Sequence, residues 1–178
     1  ERKWGYIVGA YSKDKLRGAA YVIYGGSTSS RSNIDLGTTD LNPATMGFMI
    51  SGNAHSDEFG FSVSTAGDVD RDGDANIIVG AFEKNLYEGA TYLIYGGPKS
   101  SMSNIDLSQV TLDPSKTGCT IIRKAPYDVL GNSVATAGDI NHDGYDDIIV
   151  SAQGQNIGVG AAYVIYGGPK PSISNIVL

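Results

Sequence analysis

The sequence predicts an all-β fold of four-stranded antiparallel units in tandem, and three observations predict it. Apolar residues fall in short runs bounded by Gly, Asp, Asn or Pro, with no sustained helical stripe. Glycine and tyrosine are abundant, at 24 and 11 of 178 residues, a mixture that suits strands joined by tight turns. Most telling, GAAYVIYGG at Gly18–Gly26 returns as GATYLIYGG at Gly89–Gly97 and as GAAYVIYGG at Gly160–Gly168, a constant offset of 71.

Overlaying the copies gives four strands per unit. The first is expected at Phe61–Ala66, the second at Asn76–Ala81, the third at Ala90–Tyr95 and the fourth near Gly118–Arg123, with a mate of the fourth at Gly47–Gly52. A unit of 71 residues exceeds the roughly 40–50 of common propeller repeats. The excess lies in a long connection that contains SNIDL at Ser32–Leu36 and Ser103–Leu107 and SNIVL at Ser174–Leu178. That connection is either a surface loop or an added edge segment.

Four-stranded antiparallel units repeated in tandem bury their faces against one another, and the radial version is a β-propeller whose units are blades. About two and a half repeats are present. Residues 1–46 hold a partial blade with second and third strands and the long connection. Residues 47–117 supply a fourth strand, an acidic loop and the next blade's first three strands, and residues 118–178 repeat this up to a third strand. Both ends fall inside a blade, which reads as part of a longer array rather than a free-standing domain.

The chemistry sits between first and second strands. DVDRDGDAN (Asp68–Asn76) and DINHDGYDD (Asp139–Asp147) both fit D-x-[DN]-x-D-G-x-x-[DN]. Oxygen donors at alternate positions 1, 3 and 5 can be aimed at one centre by a tightly wound loop, and glycine at 6 allows the turn that follows. The expected ligands are Asp68, Asp70, Asp72 and Asn76 by side chain with Asp74 by carbonyl. In the second loop they are Asp139, Asn141, Asp143 and Asp147 by side chain with Tyr145 by carbonyl. All-oxygen cages with three carboxylates each suit Ca²⁺, whereas Zn²⁺ favours His and Cys. An EF-hand is excluded, because the bidentate acid it needs at position 12 is replaced by Val79 and Val150 and the flanks read as strand. The remaining alternative is a pair of metal-free Asp–Gly turns; two matching copies at one spacing favour the metal. In the first copy Glu1 stands opposite Asp72 and Gly5 opposite Asn76, so no calcium is expected there.

Other chemistries find little support. A net charge of −6 and a pI near 4.7 argue against nucleic acid or anionic lipid as a main partner, since both need clustered Lys and Arg. No apolar run approaches the roughly 18 residues of a membrane span. His55 and His142 have no partner at a metal or catalytic spacing and are expected to face solvent. Cys119 aligns with Phe48 and reads as a buried, inert thiol. Gly154, Gly158 and Gly160 superficially resemble a phosphate loop, but no helix follows. The pairs Tyr21 and Tyr24, Tyr92 and Tyr95, and Tyr163 and Tyr166 each point to opposite sheet faces; packing between blades is expected for one ring, and packing or a partner surface for the other.

FGFSVSTAGDVDRDGDANIIVGA and LGNSVATAGDINHDGYDDIIVSA resemble FG-GAP repeats, the blades of the integrin-α propeller. Leu130 stands for the name-giving Phe, Ser151 for the glycine of the second element, and Phe82 where proline is common; the metal positions are intact. The resemblance implies a seven-bladed ring when complete, in an extracellular or cell-surface protein, with calcium stiffening one face and a protein or matrix partner on the other. It implies a non-catalytic module for adhesion, protein binding or assembly, or else the accessory propeller of a larger secreted enzyme such as a phospholipase.

Overall fold

Strand formation follows the short apolar runs closely. The computed structural model describes residues 4–26, 33–170, 172, 173 and 175–178. Strands β1 (Trp4–Ala10), β2 (Ala19–Tyr24) and β3 (Gly47–Ser51) form an antiparallel first blade. The second blade contains β4 (Ser62–Gly67), β5 (Asn76–Ala81) and β6 (Ala90–Ile94). After the short β7 (Ile105–Asp106), strand β8 (Gly118–Ile122) joins β6 as its fourth member. The third blade is β9 (Leu130–Gly138), β10 (Asp147–Ala152) and β11 (Ala161–Ile165), and β12 (Ile176–Val177) follows. The expected strands are therefore found to within a residue or so at their ends.

The long connection resolves as an added edge segment, and it completes the preceding blade rather than its own. Strand β7 pairs in parallel with β3, and β12 pairs in parallel with β8. The Asn of the repeated phrase is the clasp. Asn104 Oδ1 accepts from the Met49 amide at 2.9 Å, and Asn175 Oδ1 accepts from the Thr120 amide at 3.0 Å. Ser32 and Ser174 lie outside the described residues.

Two-sided burial explains why β5 is apolar from Ile77 onward. Along it, Ile77 and Val79 face the first blade, in a core with Val22, Phe48, Ile50, Phe59 and Tyr92. Ile78 faces the third, with Leu93, Tyr95, Cys119, Leu130 and Ile148. Tyr92 and Tyr95 thus sit in opposite cores, as their spacing requires. Leu130 fills the place in its core that Phe59 fills in the other; both are fully buried, so an aliphatic side chain suffices there.

Glycine sets how closely blades approach. A Cβ on Gly9 would lie 2.0 Å from Gly60 O, and one on Gly80 would lie 1.9 Å from Gly131 O. Gly60 and Gly131 have φ of +89° and +84°, a region open to glycine at little steric penalty. The second glycine element of one repeat and the first of the next are thus the two halves of one inter-blade contact. At the opposite end from the acidic loops, second and third strands are joined by left-handed turns at Lys13–Leu16, Lys84–Tyr87 and Gln155–Gly158. Each is closed by a backbone bond, such as Gly89 N–H to Lys84 O at 3.0 Å.

Candidate metal centre and the opposite rim

Backbone geometry builds each acidic loop around its first residue. Asp68 accepts from the amides of Asp72 at 3.1 Å and Gly73 at 3.0 Å. Asp139 accepts from Asp143 at 3.0 Å and Gly144 at 2.9 Å in the same way. Position 5 then accepts from position 7, Asp72 from Asp74 and Asp143 from Tyr145, both at 3.0 Å. Arg71 and His142, at position 4, have φ of 58° and 61° and are exposed, so the chain bends there with the side chains outward. Both loops are wound alike.

In the first loop, carboxylate oxygens of Asp68, Asp70 and Asp72 converge within 4.8 Å of one another. Burial pushes the Asp68 carboxyl above its ordinary range, and the neighbouring Asp70 adds to the shift. Asp70 Oδ2 is buried and has a lysine ammonium at ion-pair distance. The cation in ion-pair reach is Lys170, whose Nζ lies 2.5 Å from Asp70 Oδ2 and 2.8 Å from Asp72 Oδ2. Burial works against the Lys170 ammonium, but these carboxylates outweigh it and hold it above the usual lysine value. A cluster of three converging hard-oxygen carboxylates that already draws in a cation fits a divalent ion such as Ca²⁺.

Position 9 ties the loop to the end of the third strand. Asn76 Oδ1 accepts from the Gly96 amide at 2.8 Å, and Asp147 Oδ1 accepts from the Gly167 amide at 2.9 Å. Its other atom braces the loop: Asn76 Nδ2 donates to Asp70 at 3.3 Å, and Asp147 Oδ2 accepts from Ile140 N–H at 2.9 Å. In the second loop Asn141 Nδ2 donates to Asp143 at 2.9 Å, so the polar side chains at positions 3 and 5 are again adjacent. The two loops also touch. Asp146 accepts from the Asp68 amide at 2.7 Å, and Arg71 lies over the Tyr145 ring. Glu1, at the matching position of the first copy, lies outside the described residues.

Residues 130–165, from the start of β9 to the end of β11, match the family model for the FG-GAP repeat. Over that segment the chain is similar to an FG-GAP repeat. Its sister copy, one 71-residue offset earlier, spans 59–94 and contains the first acidic loop. Gly131 lies at the start of the matched segment, and Gly60 is its counterpart one offset earlier.

The opposite rim holds features that the sequence reading missed. Asp57 and Asp128, one repeat apart, are both buried. Asp57 pairs with Lys84 Nζ at 3.0 Å; Asp128 pairs with Arg123, which also donates to the Tyr163 hydroxyl at 2.6 Å. In the third blade Gln155 replaces Lys84 and Arg123 replaces Gly52, so the cation has moved while the buried acid stays paired. An aromatic row runs along the same rim. Tyr11, Phe61, Phe82, Tyr87 and Tyr127 have successive ring centroids 5.4, 4.3, 6.4 and 6.2 Å apart. Tyr127 is 67% exposed. Cys119 is buried, and burial pushes its thiol up to about 12. His55 is exposed, its Nδ1 3.1 Å from Asp14 O.

Proposed function

We propose that this chain is a calcium-stabilised, non-catalytic propeller module of an extracellular or surface protein, serving adhesion, protein binding or assembly. The observation that carries the reading is the convergence of Asp68, Asp70 and Asp72, whose carboxylate oxygens lie within 4.8 Å of one another with Asp70 Oδ2 buried. The second loop repeats the winding. A calcium ion at each would be held by Asp68, Asp70, Asp72, Asn76 and the Asp74 carbonyl, and by Asp139, Asn141, Asp143, Asp147 and the Tyr145 carbonyl. It would supply positive charge at the centre of these oxygens and tie the first strand to the second. Because the unfolded loop has no cage, binding stabilises the folded form alone. The exposed aromatic row at the far end supports a protein partner there, since rigid rings give large contact area at low entropic cost.

The test is thermal melting with CaCl₂ and with EDTA, alongside calorimetric titration. Calcium at one hundred times its dissociation constant adds about 2.7 kcal/mol per site, or roughly 5–11 °C for a domain of this size. Asp70→Ala should remove one of two binding events and leave the other. Identical melting in CaCl₂ and EDTA, with no heat of binding, would refute the reading.

A further inference from the structure

The position of Lys170 has a consequence for the first acidic loop that its motif does not contain. Lys170 lies beyond the third strand of the third blade, 98 residues from Asp72, yet its ammonium is at ligand distance from two of the three carboxylates. Its stem is half of a repeated arrangement. Lys170 Nζ sits 4.5 Å over the Tyr95 ring, and Lys99, one repeat earlier, sits 4.6 Å over the Tyr24 ring. The aromatic shelf therefore places the ammonium in both copies, and at Lys170 the shelf delivers it to Asp70 and Asp72. The segment is pinned on either side: Gly168 N–H donates to Val69 O at 2.8 Å inside the acidic loop, and Ile173 is buried in the core between second and third blades.

We propose that Lys170 is a tethered counter-cation of the first loop, which satisfies the cluster when metal is absent and competes with calcium for Asp70 and Asp72. The inference rests on the calcium reading above. Ammonium and Ca²⁺ cannot share these oxygens at 2.5–2.8 Å, because two cations that close repel; calcium entry requires Lys170 to swing off the loop. The third blade thereby sets the metal affinity of the second. It also follows that the empty loop is held together across the blade boundary, so removing the lysine weakens the metal-free protein and strengthens the metal-bound one.

The experiment isolates the first loop in an Asp139→Ala background and compares Lys170 with Lys170→Met, which keeps an apolar stem over Tyr95. Titration with CaCl₂ should show affinity raised roughly two- to fivefold in the Met variant, the scale of one partly exposed ion pair. Melting in EDTA should fall and the calcium-induced increment should grow. A second substitution, Lys170→Gln, guards against a packing artefact and should move in the same direction. Calcium binding with unchanged or weaker affinity in both variants would overturn the competitor role alone. No calcium binding with lysine, methionine or glutamine at 170 would overturn both it and the calcium reading.

Discussion

Removing the Lys84 charge tests the energetics of the buried ion pair most directly. Lys84→Met leaves the Asp57 carboxylate, its side chain 8% exposed, with one long hydrogen bond from the Ala54 amide at 3.3 Å. Breaking a buried pair in this way costs about 3–5 kcal/mol, because the remaining charge stays desolvated. The lower end applies here, since that amide and the nearby solvent relieve part of the charge. About 3 kcal/mol corresponds to a fall in Tm of roughly 6–12 °C for a domain of this size. The third blade provides the control. Gln155 occupies the matching position, but Asp128 keeps Arg123, so Gln155→Met should cost no more than about 1 kcal/mol. Urea unfolding followed by circular dichroism measures both. The double change Asp57→Leu with Lys84→Met should recover most of the loss, because neither charge is then left buried. If Lys84→Met unfolds within 1 kcal/mol of the unmodified protein, or no lower than Gln155→Met, the pairing argument is wrong.

The glycine contacts and the buried thiol give two more measurable outcomes. Gly80→Ala should destabilise by about 3 kcal/mol or more, since its Cβ would lie 1.9 Å from Gly131 O and the blades must separate. Gly73→Ala, with φ +91° but nothing within 4 Å, should cost only about 1–2 kcal/mol of backbone strain; equal losses in urea melts would refute the close-contact account. Cys119 should resist iodoacetamide at pH 8 until the protein unfolds. Its folded thiol titrates near 12 against 9.0 unfolded, so the unfolded state loses its proton first as pH rises. Stability is therefore full below about 9 and declines toward 12. Cys119→Ala should flatten that decline, and an unchanged pH profile would show that other groups cause it.

The strands were legible because each is a short apolar run closed by turn residues, and the 71-residue offset let three copies vouch for one another. Asn76–Ala81 came out without a shift. The edge pairing of β7 and β12 was left open, because two residues in parallel register carry no periodic signal and depend on a neighbouring blade to receive them. The left-handed turns were invisible for a different reason: Asp14 and Asn85 tolerate that conformation singly, but Lys15 and Leu86 beside them do not favour it, and the surrounding hydrogen bonds impose it. At the site, Asp68, Asp70 and Asp72 were readable from local spacing alone. Lys170 was not, since nothing local links it to a loop so distant in sequence. The buried Asp57 and Asp128 could have been found. The same overlay that aligned the acidic loops shows an acid held constant while Lys84 and Arg123 exchange places with Gln155 and Gly52.

The stagger of the long connection bears on how such an array can grow or shrink. Because each unit's chain finishes the sheet of the unit before it, the sequence period and the sheet boundary are out of phase. Yet a duplication of 71 residues anywhere in the interior carries one donated edge and one accepting edge with it. The array can therefore lengthen or shorten by whole units, wherever recombination falls, without leaving a raw β-edge at the join. A change of any other length would break the phase and strand an Asn clasp such as Asn104 without its partner amide.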